Sequence, residues 1–330
     1  MISLLIVNYR SAELAIEAIR TARAATKAGL EVVVVDNSSE AETLRPHATT
    51  LIVSETNRGY AGAINDGRPA CHGDVIIVSN PDVKFDTGSI DALASALTGD
   101  VVVAGPALFW DDAFTWHLPP AELHTAWEIL AARDRSRIKQ RIAFWSSTAT
   151  RNVAAVSGAV MAIRSSAFDD LGGFDERFAL YFEETDFLRR VAERRKRIAY
   201  VPAARCRHLY NQSAAQSDQA AALYARSEMR YLEKWNGPFM ARLLKRFEKG
   251  VKAGGSQGSQ GLDSLDPLTP LLIEASPLAS FATAAGHFTS SPAMDVPPEI
   301  WNTYRGSALY LRLIERNTAR VVATEVRYKS

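Results

Sequence analysis

Residues 1–236 are expected to form a doubly wound α/β domain, a mostly parallel sheet with helices on both faces, followed by a small C-terminal β-rich extension. Two observations predict it. Short β-branched runs alternate with helical patterns through the first hundred residues, the rhythm of consecutive βαβ units. Three of those runs end in a polar tripeptide, Asn8-Tyr9-Arg10, Asn80-Pro81-Asp82 and one beginning at the last strand residue, Asp36-Asn37-Ser38. In such a sheet the carboxyl ends of the strands are where ligands sit.

The elements follow in order. Strands are expected at Ser3–Val7, Glu31–Asp36, Leu51–Ser54, Val75–Ser79 and Val101–Ala104, with helices at Ala12–Ala28, Tyr60–Ala70 and Ile90–Leu97. From Glu122 to Phe144 the pattern is helical and basic, with Arg133, Arg135, Arg137, Lys139 and Arg141 close together. Such a run is ordinarily a solvated helix face, and the alternative is a contact to an acceptor or phosphate. Beyond it come a strand at Val153–Ile163, a short helix at Ser165–Leu171, a Gly-Gly-Phe-Asp turn at 172–175 and a helix opening near Glu184. Two short strands, Ile198–Pro202 and Arg205–Leu209, precede a helix at Ala214–Trp235.

Composition narrows the function classes. With 47% hydrophobic and 23% charged residues in 330, the chain has material for a sizeable core. A formal net charge of +1 lacks the basic excess of non-specific nucleic-acid binding, so no nucleic-acid partner is expected. Cys71 and Cys206 have no CxxC spacing and read as buried free thiols in a reducing, cytoplasmic setting. Met1 to Val7 is apolar but has no basic flank, so it reads as a strand and not as a signal peptide. No run approaches the roughly 20 apolar residues of a spanning helix, so membrane contact is expected to be peripheral.

Six motifs occur in order: Ile6-Val7-Asn8-Tyr9-Arg10, Val34-Val35-Asp36-Asn37-Ser38-Ser39, Asn57-Arg58-Gly59-Tyr60-Ala61-Gly62-Ala63-Ile64-Asn65, Ser79-Asn80-Pro81-Asp82-Val83, Gly172-Gly173-Phe174-Asp175-Glu176-Arg177-Phe178 and Tyr181-Phe182-Glu183-Glu184-Thr185-Asp186. In that order they resemble a family 2 glycosyltransferase with the GT-A fold, nearest in pattern to the rhamnosyltransferase-like branch. The resemblance covers about residues 1 to 235 and implies an inverting transferase. It would move a sugar from a nucleotide-diphosphate donor, with L-rhamnose or another hexose as the sugar, to a glycan or polyprenyl-linked acceptor in cell-surface polysaccharide biosynthesis.

Each motif has a chemical reading beside that resemblance. A nucleoside diphosphate needs a hydrogen-bonding slot for base and ribose, for which Asn8, Tyr9, Arg10 and Asp36 stand at strand ends. Asp36 alternatively builds an Asx-turn with Asn37, Ser38 and Ser39. Asn57, Arg58 and Gly59 open a helix that carries Asn65, an arrangement that favours an anion. Asn80 completes the donor set. Asp82 falls where the resembled family places a metal-binding acid, with Asn80 replacing the first acid of the usual Asp-x-Asp. His208 falls where that fold often places a histidine ligand; a lone histidine otherwise packs or caps. A divalent ion, Mg²⁺ or Mn²⁺, is the cofactor so implied.

Displacement at an anomeric carbon needs a base for the attacking hydroxyl. Glu183, Glu184 and Asp186 supply acids at a helix start, which the helix dipole would also explain. By the match to the family, Glu184 is the base, with Glu183 and Asp186 as alternatives. Trp110, Trp116, Trp145 and Tyr181 are either a sugar platform or core anchors.

Residues 237–252 read as a basic amphipathic helix, suited either to an anionic bilayer at the inner face of the plasma membrane or to packing on the catalytic domain. Residues 253–261 read as a Gly/Ser-rich flexible linker. Residues 262–330 carry no recognised motif beyond two strands at Ala308–Ile314 and Ala319–Tyr328; acceptor recognition, homo-oligomerisation and partner docking are the roles open to them. Two other functions compete with glycosyl transfer. A nucleotidyltransferase would want a glycine-rich loop after the first strand, which Asn8-Tyr9-Arg10-Ser11 is not, and a non-catalytic binding module has no use for the Glu183–Asp186 cluster.

Overall fold

A computed structural model describes residues 1–130, 134–178, 180–209, 218–252 and 269–329. The strands are β1 (Ile2–Asn8), β2 (Leu30–Asp36), β3 (Thr50–Val53), β4 (Val75–Ser79), β5 (Val83–Phe85), β6 (Val101–Phe109), β7 (Trp116–His117), β8 (Arg151–Val153), β9 (Val160–Arg164), β10 (Arg197–His208), β11 (Leu271–Ser276), β12 (Ala285–Thr289), β13 (Ala308–Glu315) and β14 (Arg320–Tyr328). The helices are α1 (Ala12–Ala24), α2 (Ala41–Leu44), α3 (Gly59–Gly67), α4 (Ser89–Ala96), α5 (Ala126–Leu130), α6 (Asp134–Trp145), α7 (Ser165–Asp170), α8 (Glu183–Glu193), α9 (Asp218–Asn236), α10 (Pro238–Lys252) and α11 (Pro298–Thr303).

Every residue of β1 is buried, because both faces of the sheet are covered. Leu4 and Ile6 join Ile19 of α1 and Val32, Val34 and Ile77 on one side. Leu5 and Val7 join Ile64 of α3 and Phe187 of α8 on the other. This is the doubly wound α/β, GT-A-type arrangement expected: β3, β2, β1 and β4 are parallel neighbours, and β9 then runs antiparallel between β4 and β6. Register places Asn8 opposite Asp36 and Ile6 opposite Ser79, so three polar strand ends meet at one edge.

Several expected elements differ, among them β6, which runs on from the expected Val101–Ala104 to Phe109. The strand expected over Val153–Ile163 is two strands, β8 and β9, with residues 154–159 crossing between them as irregular chain that contains Ser157 and Gly158. Conversely, the two strands expected at Ile198–Pro202 and Arg205–Leu209 are one strand, β10, whose pairing with β6 shifts register between Val201 and Arg205. The expected helix at Ala12–Ala28 stops at Ala24. The anticipated linker at 253–261 and the start of the helix expected from Ala214 lie outside the described residues.

The C-terminal strands continue the central sheet. β14, β13, β11 and β12 are antiparallel neighbours, and β12 pairs with β7 through Gly286 opposite His117 and His287 opposite Trp116. The basic run of α6 explains the join. Arg141 is not the solvated residue its sequence context suggests: it is buried, 2.8 Å from Glu274 of β11, and it donates to the Phe281 carbonyl. Arg312 of β13 reaches the other Glu274 oxygen at 2.6 Å and pairs with Asp134 of α6. Arg135 donates to the Thr318 carbonyl. Two arginines around one fully buried carboxylate thus hold the extension to the domain.

Candidate active site

The expected nucleotide-side residues lie along the edge where β1 and β2 end. Asn8 and Asp36 are both fully buried, and Asn8 Nδ2 donates to Asp36 Oδ1 at 2.9 Å. Asp36 also accepts from the Ser38 amide and hydroxyl and from the Glu40 amide, so the Asx-turn is formed and its carboxylate frames the 36–40 loop. Burial opposes its charge, but hydrogen bonds from Asn8, Ser38 and Glu40 prevail and hold its pKa below the ordinary value. Asn37 ties this loop to the next motif by donating to the Gly59 carbonyl, while Asn57 caps the Gly59 amide. Tyr9, Arg10, Asn57 and Arg58 remain solvent-facing, with Arg10 stacked over the Tyr9 ring.

Arg58 and Asn65 also have partners inside the protein. Arg58 pairs with Asp66 at 2.9 Å and Glu176 at 3.2 Å. Asn65 clamps the Gly-Gly-Phe-Asp turn: its amide nitrogen donates to the Phe174 carbonyl, and its oxygen accepts from the Phe174 amide, each at 2.9 Å. Gly173 sits there at φ +66°, and a Cβ on it would lie 2.5 Å from Asn65 Oδ1. Only glycine meets both demands.

At the end of β4 the structure brings Asn80, Asp82 and His208 together. β5 pairs antiparallel with β10, placing Val83 opposite His208. His208 Nε2 is 3.3 Å from Asp82 Oδ1 and 3.5 Å from Asn80 Nδ2, and both the histidine and the acid are largely buried. A carboxylate oxygen and an imidazole nitrogen converging at this spacing fit a divalent ion, whose remaining positions a diphosphate and water would fill. Among the described residues no group of three or more His, Cys, Asp or Glu side chains is placed to hold an ion.

The helix α8 supplies the acids. Tyr181 and Phe182 both adopt left-handed backbone, at φ +67° and +70°, immediately before Glu183. Bulky residues rarely take that conformation, and strain of this sort concentrates at functional sites. It turns the first helical residues inward: Glu183 is buried, and Glu183 Oε2, Glu184 Oε2, Tyr60 Oη and Tyr181 Oη are buried atoms with no hydrogen-bond partner among the described residues. Tyr60 loses acidity through burial and through the charges of Glu183, Glu184 and Asp82, so these three carboxylates act on one hydroxyl. Burial, reinforced by the neighbouring Glu184 charge, lifts the Glu183 pKa well above the carboxylate range. Burial also raises Glu184, but backbone hydrogen bonds oppose it, so Glu184 is the acid of the pair that ionises more readily.

Asp186 is not brought into this cluster. It is fully buried on another side of α8, where Arg190 at 2.8 Å, Lys234 at 2.6 Å and the Trp235 indole at 3.0 Å use its oxygens to join α8 to α9. Trp110, Trp116 and Trp145 are core anchors, each buried, and not a sugar platform. Residues the sequence reading did not single out include Tyr60 and Gly158. A Cβ on Gly158 would lie 2.8 Å from Glu184 Cγ, and the neighbouring Ala159 carbonyl accepts from the Asn80 amide. An isolated glycine within a strand-like pattern was the available signal for such a close approach. A cavity of about 330 Å³ is lined by Trp127, Arg137, Gln140, Phe144, Arg151 and Asn152 among others, and by none of the site residues named above.

Comparison with known proteins agrees with this geometry. The family model described as "Glycosyltransferase like family 2" matches residues 1–228. N-acetylglucosaminyl-diphospho-decaprenol L-rhamnosyltransferase of Mycobacterium tuberculosis, from strains CDC 1551 / Oshkosh and ATCC 25618 / H37Rv, is 27% identical over 242 residues, covering 63% of this chain and 75% of the relative. Among solved structures, GalNAc-T7 with UDP, GalNAc and Mn²⁺ superposes with a TM-score of 0.50 at 16% identity; the match covers 71% of this chain and about half, 48%, of that one. The mannosyltransferase PcManGT from Pyrobaculum calidifontis, in complex with GDP-Man and Mn²⁺, gives a TM-score of 0.47 at 15% identity over 78% of this chain and 76% of that one. The family match sets aside both the nucleotidyltransferase and the binding-module readings. The ordered motifs, the strand-end cluster and a match over more than half the chain have one outcome: this protein belongs to glycosyltransferase-like family 2 and is a glycosyltransferase with the GT-A fold.

Proposed function

We propose that the chain transfers a sugar, L-rhamnose or another hexose, with inversion from a nucleotide diphosphate to a hydroxyl of a lipid-linked glycan, at the cytoplasmic face of the membrane during cell-surface polysaccharide assembly. The observation that carries this reading is the group of four buried, unpartnered polar atoms on Tyr60, Tyr181, Glu183 and Glu184, within electrostatic reach of Asp82. Buried polar atoms without partners are costly, and a cluster of them fits a site that a substrate completes. Similarity to a rhamnosyltransferase named for a decaprenol-linked acceptor supports the acceptor class.

The strand-end loops at 8–10, 36–40 and 57–59 face the nucleoside and diphosphate. Asp82 and His208 would hold Mg²⁺ or Mn²⁺, which when bound neutralises charge on the leaving diphosphate. Glu184 accepts the proton of the acceptor hydroxyl as its oxygen bonds to the anomeric carbon, while the bond from that carbon to the diphosphate oxygen breaks and its electron pair leaves with the nucleotide. Burial and the neighbouring charge raise Glu183 further than Glu184, which leaves Glu184 as the partner that ionises more readily. The test is a screen of nucleotide sugars with Mn²⁺ or Mg²⁺ and a lipid-diphosphate GlcNAc acceptor, scored by nucleotide-diphosphate release and product mass. Transfer from one donor with an inverted linkage is expected; absence of binding, hydrolysis and transfer across all common donors would sink the reading.

A further inference from the structure

The helix α10 has two apolar faces, and among the described residues only one of them is covered. Ala241 and Leu244 are buried against Tyr231 and Leu232 of α9 and against Ala126 and Ile129 of α5, in the cluster that also contains Phe182. Lys245 belongs to this inner side, since it reaches the buried Glu228 at 2.6 Å. The outer side carries Phe239, 80% exposed, Leu243, 38%, and Phe247, 51%, spaced four residues apart in one stripe, with Met240 beside them. Helical spacing sets Arg242 and Arg246, both exposed, along one border of the stripe.

We propose that this outer face of α10 is a docking surface for an anionic lipid bilayer. Four exposed large apolar side chains on one side of a single helix exceed the scattered hydrophobes normal on a soluble surface. The charge decides the occupant: residues 238–252 contain five basic residues and one acid. A second copy seated on the same face through a two-fold axis would bring those like charges together, whereas anionic headgroups complement them while Phe239, Leu243 and Phe247 enter the boundary below. The inner side of α10 shares its apolar cluster with Phe182, the residue before Glu183, so this face would hold the acidic pair at a fixed height above the bilayer. That purpose rests on the lipid-linked acceptor proposed above; the binding itself does not.

The experiment is co-sedimentation of the full chain with phosphatidylcholine vesicles, with and without phosphatidylglycerol. Binding to the anionic vesicles is expected. It should weaken about tenfold or more both in Phe239→Ser/Leu243→Ser/Phe247→Ser and in Arg242→Gln/Arg246→Gln, with Lys245 left in place because it holds Glu228. As these side chains point outward, circular dichroism and donor hydrolysis should match the parent chain. Absence of binding to anionic vesicles, or binding unchanged in both variants, overturns the proposal, as does a dimer in light scattering that disperses in the phenylalanine variant without vesicle binding. Loss of vesicle binding with donor hydrolysis intact bears on this surface alone, and loss of hydrolysis with vesicle binding intact bears on the catalytic reading alone.

Discussion

Gly158 and Glu184 are in mutual contact: a Cβ on the glycine would stand 2.8 Å from Glu184 Cγ and 3.1 Å from its carboxyl carbon. The crossing between β8 and β9 is therefore the wall against which the candidate base is positioned. Gly158→Ala should push Glu184 away and lower kcat by about 10²-fold, the scale expected for an ångström of misplacement, with little change in donor affinity. Steady-state kinetics beside calorimetric titration of the nucleotide separates the two effects, and an unchanged kcat would show that the contact has no catalytic consequence.

Replacing Glu184 by Gln removes the proton acceptor while keeping shape. Transfer should fall by roughly 10²- to 10⁴-fold with donor binding intact. Because burial raises the Glu184 pKa from 4.5, the acid limb of kcat/KM in the parent enzyme should lie above that value, with the rate rising as the pH passes through the raised pKa and the carboxyl ionises. A limb at or below 4.5, or a Gln variant that retains most transfer, would remove Glu184 from the role.

Asp82 and His208 are expected to act as a pair. EDTA should abolish transfer, with Mn²⁺ or Mg²⁺ restoring it, and Asp82→Asn or His208→Ala should weaken Mn²⁺-dependent nucleotide binding measured by calorimetry. Nucleotide affinity that is indifferent both to chelation and to these substitutions would exclude the pair as ligands.

His117 makes the join between β7 and β12 acid-sensitive. It packs against Phe109, Trp145 and Phe288, and its pKa is lowered from 6.5 to about 4 by burial, with His287 adding and Asp111 opposing. Below 6.5 the unfolded chain takes up this proton first, so stability should fall as the pH drops from 6.5 towards 4, by on the order of 3 kcal/mol in total. Urea midpoints of the parent and of His117→Gln across that window test this: the parent should lose more than the variant.

The buried Arg141–Glu274–Arg312 group should be costly to break from its centre. Glu274→Ala removes the carboxylate that two buried guanidinium groups share, leaving Arg141 with the Phe281 carbonyl and Arg312 with Asp134, and is expected to destabilise the chain by about 3–5 kcal/mol. Urea denaturation measures the loss, and a change below 1 kcal/mol would mean that the extension is held by apolar packing instead.

What the sequence determined by itself is local or periodic. β1, β2 and β4 were legible because strands covered on both faces are runs of uninterrupted apolar residues, and the polar positions Asn8, Asp36 and Asp82 were legible as the places where such runs end. The acidic pair Glu183-Glu184 stood out by its place at a helix start. Tertiary structure decided the rest, since it depends on partners distant in the chain. Asp186 shares a helical turn with Glu184 but is turned towards Lys234 and Trp235. Arg141 read as a surface charge until Glu274, 133 residues away, met it in the interior. His208 became a neighbour of Asp82 only through the pairing of β10 with β5. Periodicity shows which face of an element is buried; it carries no information on what the buried face will meet.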